Sequence, residues 1–210
     1  MTAVRRRQSL TGRAAPWVLA AGILVAEKMA FDHRSAAGES TLATPQLAAA
    51  VGDPTPPPAT VVDDGDIIEL RRRRLPIPVE GVSALMLVST FHQSRNQGEH
   101  EAIDILAPLG TRALAVEDGT VEKLFTSKRG GLTIYLFDPT GVYCYYYAHL
   151  DHYADIREGQ HVRRGEVIGY VGTTGNAPPN TPHLHFAVFK LGPEKHWWQG
   201  TALDPYLIWR

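Results

Sequence analysis

The chain has 210 residues, a formal net charge of -1 and 44% hydrophobic residues, enough for one buried domain plus extensions. The near-neutral balance excludes the basic stripe carried by nucleic-acid binders, so no nucleic-acid partner is expected. A single cysteine, Cys144, excludes an internal disulfide and any cysteine-built zinc knuckle, so a transition-metal site must draw on carboxylates and the nine histidines.

In chain order, Arg5, Arg6, Arg7 and Arg13 precede an apolar run from Ala14 to Ala26 that Glu27 and Lys28 end. Residues 1–32 therefore read as an export signal or an uncleaved membrane anchor. Either places the rest of the chain in the cell envelope, outside the cytoplasmic membrane. The small-residue stretch Ser35-Ala36-Ala37 lies well past the apolar run, which favours the anchor. Residues 33–66 include Pro54, Pro56, Pro57 and Pro58 and show no sustained hydrophobic period, the composition of a tether. The folded domain is expected over 67–210. The arginines at 71–74 read as a solvated face, with contact to anionic envelope polymers or lipid head groups as the functional alternative. Residues 82–88 suit a short helix or strand.

Beyond His100, turn residues recur at Pro108 and Gly110, Asp118-Gly119, Gly130-Gly131, Asp138 to Gly141, Glu158-Gly159, Gly165 and Gly172 to Pro182. The intervening segments are short and rich in Val, Ile, Leu, Tyr and Phe. This punctuation predicts an all-β class, an antiparallel sheet of barrel- or sandwich-like form with short turns and no helix. Strands are expected at 101–106, 111–116, 120–126, 132–137, 142–148, 166–171 and 183–189.

Three segments carry chemistry. In His183-Leu184-His185-Phe186, strand alternation puts both imidazoles on one face and the two apolar residues on the other. In His100-Glu101-Ala102-Ile103-Asp104, the same alternation groups His100, Ala102 and Asp104 and turns Glu101 away. The string mimics the helical His-Glu-x-x-His of zinc proteases, but Asp104 replaces the second histidine, and Pro108 and Gly110 cut any helix short. Tyr147-Ala148-His149-Leu150 ends an aromatic strand on which Tyr143, Tyr145, Tyr147 and His149 are expected to share a face that could line a groove. Cys144 then falls on the opposite face, as a half-buried, inert thiol.

With these pieces the sequence resembles the lysostaphin-like zinc metallopeptidases, a family that cuts peptide bonds in bacterial peptidoglycan. The resemblance runs from about Pro76 to Tyr206. It includes His-x-x-x-Asp at His100 and Asp104, Ala-Pro-x-Gly-Thr at 107–111 and Tyr-Ala-His-Leu at 147–150. Gly-Gln-x-Val-x-x-Gly at 159–165, Val-Gly-x-Thr-Gly at 171–175 and His-Leu-His-Phe at 183–186 complete it. It implies that His100, Asp104 and His185 bind Zn2+, that His149 and His183 form the catalytic pair, and that the substrate is peptidoglycan peptide. Ala102 and Ala187 stand where the family often has Gly and Glu, which bears on fine specificity.

Two rival readings remain. A non-catalytic peptidoglycan-binding or hydrolase-activating module of the same fold would lack part of this five-residue set. Likeness to biotinyl and lipoyl half-motifs around Gly119 and Arg157 to Gly169 indicates shared β architecture only. Trp197 and Trp198 either rim the groove or seal the barrel. His33, His92, His152, His161 and His196 read as ordinary surface residues.

Overall fold

The computed structural model describes residues 64–95 and 98–210. The expected signal or anchor and the tether as far as residue 63 lie outside the described residues. Asp64 to Asp66, the end of that expected tether, instead open helix α1 (Asp64–Arg72). Asp64 and Asp66 in its first turn and Arg71 and Arg72 in its last complement the helix dipole, and Ile67 and Leu70 bury one face. A single 3-10 turn, Ala84–Met86, occupies the ambiguous segment 82–88.

The strands are β1 (Ser94–Arg95), β2 (Gly98–Glu99), β3 (Ile103–Leu106), β4 (Arg112–Leu114), β5 (Gly119–Ser127) and β6 (Gly131–Phe137). They continue with β7 (Tyr143–Tyr153), β8 (His161–Val162), β9 (Val167–Val171), β10 (His183–Leu191) and β11 (Gly200–Leu203). All seven expected strands form, and all pairings are antiparallel. Contrary to the all-strand expectation, a short helix α2 (Pro205–Ile208) closes the chain, with Asp204 as its N-cap accepting from the Tyr206 N–H.

Nine strands build the main sheet, in the order β11-β10-β7-β6-β5-β8 with β3, β4 and β9 attached beside this path. The long β7 belongs to two pairings in succession. Residues 143–148 lie between β6 and β10, and residues 150–153 turn to β9. Strand β10 is central for function, with β7 along one edge and β3 followed by β11 along the other. Its alternate residues Leu184, Phe186 and Val188 are fully buried with Ile103, Ile105, Tyr145 and Tyr147 in the core.

The arginine run is not a uniform solvated face. Arg71, Arg72 and Arg74 are exposed, but Arg73 turns inward, its Nη1 3.0 Å from both Glu117 and Asp138. Tyr145 donates its hydroxyl to Glu117 at 2.6 Å, and Asp138 accepts the backbone N–H groups of Val142 and Tyr143. A buried guanidinium with this many acceptors fastens α1 to the sheet. Deleting the cation alone would strand two carboxylates in a dry site.

Candidate metal centre and active-site groove

Register places the centre. Cross-strand pairing sets Asp104 of β3 opposite His185 of β10, and His185 opposite Ala148 of β7. His100 arrives differently from the expected strand, which begins at Ile103 rather than residue 101. Glu101 takes a left-handed backbone conformation (φ 52°) that breaks the alternation. That turn carries His100 back over Asp104, and the Glu101 side chain lines the groove instead of facing away.

Three donor atoms converge. His100 Nε2 lies 3.0 Å from His185 Nδ1 and 3.0 Å from Asp104 Oδ1, and His185 Nδ1 lies 3.1 Å from the same oxygen. The contact from His100 Nδ1 to the Thr90 carbonyl, 3.1 Å, fixes the tautomer, because a carbonyl only accepts. Nδ1 carries a hydrogen, so once Nε2 gives up the proton it shares with Asp104 Oδ1 the neutral ring presents a lone pair at the centre. The second carboxylate oxygen of Asp104 accepts from Arg95 at 2.8 Å. Burial pushes the Asp104 carboxyl up, but hydrogen bonds from His100 and His185 prevail and hold it well below the usual carboxylate range. Burial, with repulsion from His100 and His183, keeps the His185 pKa below its ordinary value.

This group suits a metal ion. Among the described residues, His100, Asp104 and His185 are a set of ligand-type side chains whose donor atoms lie within 4.8 Å of one another. Tetrahedral zinc with bonds of about 2.0–2.1 Å separates its ligand atoms by about 3.3 Å, only slightly more than these atoms are apart. Two imidazoles and a carboxylate, without sulfur, form a zinc donor set that leaves one vertex for a further ligand.

His149 and His183 stand beside this triangle, with ring centroids 4.9 Å apart, and the His149 ring is 5.5 Å from that of His185. Each ring is oriented by a carbonyl: His149 Nδ1–H donates to Thr174 O at 2.8 Å and His183 Nδ1–H to Thr181 O at 2.8 Å. Both rings therefore keep Nε2 available. Burial, reinforced by repulsion from His185, lowers the His149 pKa to about 4.

His149 does not share the face expected for it. Between the pairs Ile134↔Tyr147 and Leu132↔Leu150, β7 carries two residues against one on β6, and His149 adopts φ 61°. This bulge moves His149 to the groove face with Tyr146 and Ala148. The tyrosines previously grouped with it are core residues. Tyr143 donates to Asp66 and Tyr145 to Glu117, while Tyr147 accepts the Val116 N–H. Burial raises all three hydroxyl pKa values. Cys144 is fully rather than half buried, and burial drives its thiol pKa up.

The bulge is held from outside the strand. Gly130 O accepts the His149 N–H at 2.8 Å, and Thr174 Oγ1 donates to Leu150 O and accepts from the Leu132 N–H. A Cβ on Gly131 would come within 2.1 Å of Thr174 Oγ1, and one on Gly175 within 2.2 Å of Arg129 O. Both glycines also have positive φ, so the 129–131 turn can press onto the 174–176 loop only without side chains there. Thr174 belongs to a motif visible in the sequence, whereas Thr90, Arg95 and Thr181 carry no local signal of their roles.

The five histidine and aspartate residues line one groove of about 720 Å³. Trp197 and Trp198 line it as well, deciding the earlier alternative for both.

An antiparallel sheet with a His-Asp-His metal site at the floor of a groove, flanked by two oriented histidines, defines a metal-binding hydrolase-type domain. The chain belongs to Peptidase family M23, whose profile matches residues 98–205. It is 34% identical over 148 residues, 66% of this chain and 43% of the relative, to the L-Ala--D-Glu endopeptidase of Bacillus subtilis (strain 168). Lysostaphin of Staphylococcus simulans is 36% identical over 92 residues, 43% of this chain and 18% of its own length. The crystal structure of a candidate glycyl-glycine endopeptidase from Ruminococcus gnavus ATCC 29149 aligns with TM-score 0.51 and 29% identity, over 59% of this chain and 52% of that one. The chain thus spans less than half the length of these curated relatives.

Proposed function

We propose that this protein is a zinc-dependent endopeptidase that hydrolyses peptide bonds of bacterial peptidoglycan, acting in the cell envelope outside the cytoplasmic membrane. The observation that carries the reading is the joint presence in one groove of a complete three-donor centre and two further histidines whose Nδ1 atoms are held by carbonyls. A purely binding module needs no such pair, and a peptidoglycan DD-endopeptidase of Vibrio cholerae, 31% identical over 124 residues, supplies the substrate class. By its arginine-flanked apolar run, residues 1–32 serve as export signal or membrane anchor.

In this mechanism His100, Asp104 and His185 hold the ion. Zinc, when bound, polarises a carbonyl oxygen and lowers the pKa of water toward about 7. Arg95, by occupying Asp104 Oδ2, fixes the carboxylate so that Oδ1 faces the two imidazoles. His149 and His183 divide the remaining work. One neutral Nε2 takes the proton of the attacking water and passes it to the leaving amine, while the other ring, through Nε2–H, donates to the developing oxyanion. The Thr174 and Thr181 carbonyls keep a hydrogen on Nδ1 of both rings, so the accepting ring is the neutral Nδ1–H tautomer and the ring that donates through Nε2–H is an imidazolium.

The test is mass spectrometry of fragments released from purified peptidoglycan by the full chain with zinc, with a chelator, and as the His183→Ala variant. Peptide-bond fragments that disappear in the last two arms are the expected result. No release from a protein that carries stoichiometric zinc overturns the endopeptidase reading, and a protein that also lacks zinc favours the activator module.

A further inference from the structure

The groove has two chemically distinct ends. Segment 94–104 contributes the charged lining residues Arg95, Glu99, Glu101 and Asp104, and Arg129 joins them from the 129–131 turn beside His149. The lining from β10, β11 and the loop between them is Ala187, Phe189, Trp197, Trp198, Gln199 and Gly200, with no charged side chain. Strand alternation places His185, Ala187 and Phe189 in file on the groove face, so Phe189 lies about 13 Å from His185 along the strand.

Around that far end the aromatic rings form a continuous wall. Trp197 packs on Phe125 at 5.5 Å and on Tyr135 at 4.7 Å, and Tyr135 on Tyr146 at 4.7 Å. Tyr146 also meets Phe189, and Trp198 stands edge-on to Trp197 at 5.2 Å. Trp198 stacks in parallel on His196 at 4.5 Å while remaining 45% exposed. Large indoles left open to solvent at a groove mouth are costly to hydration and mark a contact surface.

We infer that this wall is a saccharide subsite, taking the uncharged glycan strand to which the stem peptide is attached while the peptide bond lies at the His-Asp-His centre. The inference rests on the endopeptidase reading and deepens it. Charge favours glycan over peptide at this end: stem peptides carry carboxylates and amines, for which the β10 and β11 lining offers no counter-charge, whereas N-acetylated sugars are neutral while each lactyl carboxyl is tied up in its amide to the stem. Pyranose C–H faces are slightly positive and match the negative faces of indole and phenol rings, and Gln199 offers a planar amide for sugar hydroxyl or acetamido groups. Distance agrees, since about 13 Å is the reach of about four extended peptide residues, the scale of a stem.

The test uses the full chain and peptide-free glycan strands prepared by amidase digestion, with the lactyl carboxyls so exposed converted to amides, titrated by NMR on the Trp indole N–H resonances. The strands are expected to bind, with affinity reduced at least tenfold in Trp198→Ala and largely retained in Trp198→Phe, which keeps an aromatic face. In parallel, the KM of the wild type for glycan-linked cross-linked peptides should be at least tenfold below that for the same peptides freed of glycan, and the ratio should collapse toward one in Trp198→Ala. Strands that do not bind, or that bind Trp198→Ala as tightly as wild type, overturn the inference. So does a Trp198→Ala effect confined to glycan-free peptides, which would assign the wall to peptide. Binding of peptide-free strands involves no hydrolysis, so its outcome is independent of whether the peptidase reading stands.

Discussion

Two histidines with the same task are held by different means. His183 opens a regular strand, where alternation aims it and the Thr181 carbonyl orients its ring. His149 sits at a bulge in a left-handed conformation that costs a non-glycine residue about 1–3 kcal/mol, compensated by the bonds from Gly130 and Thr174. Replacing either histidine with alanine should lower kcat/KM by about 10²–10⁴-fold while zinc content, read by atomic absorption, stays stoichiometric. Thr174→Val deletes a hydroxyl that both donates to Leu150 O and accepts from the Leu132 N–H. It should destabilise by about 1–3 kcal/mol in urea unfolding and lower kcat with the loosened His149. The folded-state pKa of His149 is about 4, below its ordinary value of 6.5. The unfolded chain therefore binds the extra proton first as pH falls. Stability is full above about pH 6.5 and declines as pH drops toward 4, by roughly 3 kcal/mol from this group. Urea unfolding of chelator-treated protein between pH 7.5 and 4.5 should show that slope, and His149→Ala should reduce it.

At the scale of elements, close approach between the 129–131 turn and the 174–176 loop sets the position of the bulge. Gly175→Ala puts a Cβ against Arg129 O at a positive φ, so a loss of about 1–3 kcal/mol is expected in denaturant unfolding, with kcat falling as well. The same elements show what a sequence can disclose. Leu184 and Phe186 alternate with His183 and His185 without interruption, so both the core face and the chemical face of β10 were readable from residue spacing. The positions of His100 and His149 were not. Each depends on one left-handed residue, Glu101 or His149 itself, and neither is the glycine or asparagine that would advertise such a turn. Recognition of the five site residues came through motif order rather than strand parity, which misassigned the tyrosine face. Helix α1 was hidden for another reason. It follows a Pro- and Ala-rich stretch, and its fastening to the sheet, Arg73 with Glu117 and Asp138, joins residues far apart in sequence.

For the whole molecule, that fastening joins the start of the domain to its sheet together with Asp66, which accepts from Tyr143 and Lys190. Arg73→Met should cost about 3–5 kcal/mol, since Asp138 would remain buried without a cation and Glu117 would keep only the Arg164 cation, at 3.8 Å. A fall in Tm of roughly 6–20 °C, followed by circular dichroism, is the expected reading. The groove lining includes neither α1 nor Glu117 and Asp138, so kcat of the folded fraction should change little. The two sides of β10 are likewise separable. Positions 184, 186 and 188 are locked into the interior, whereas 187 and 189 line the groove, 187 buried and 189 partly open. A lineage carrying this strand can therefore exchange its groove-side residues one at a time and drift to new cell-wall chemistries without first accumulating a reserve of stability.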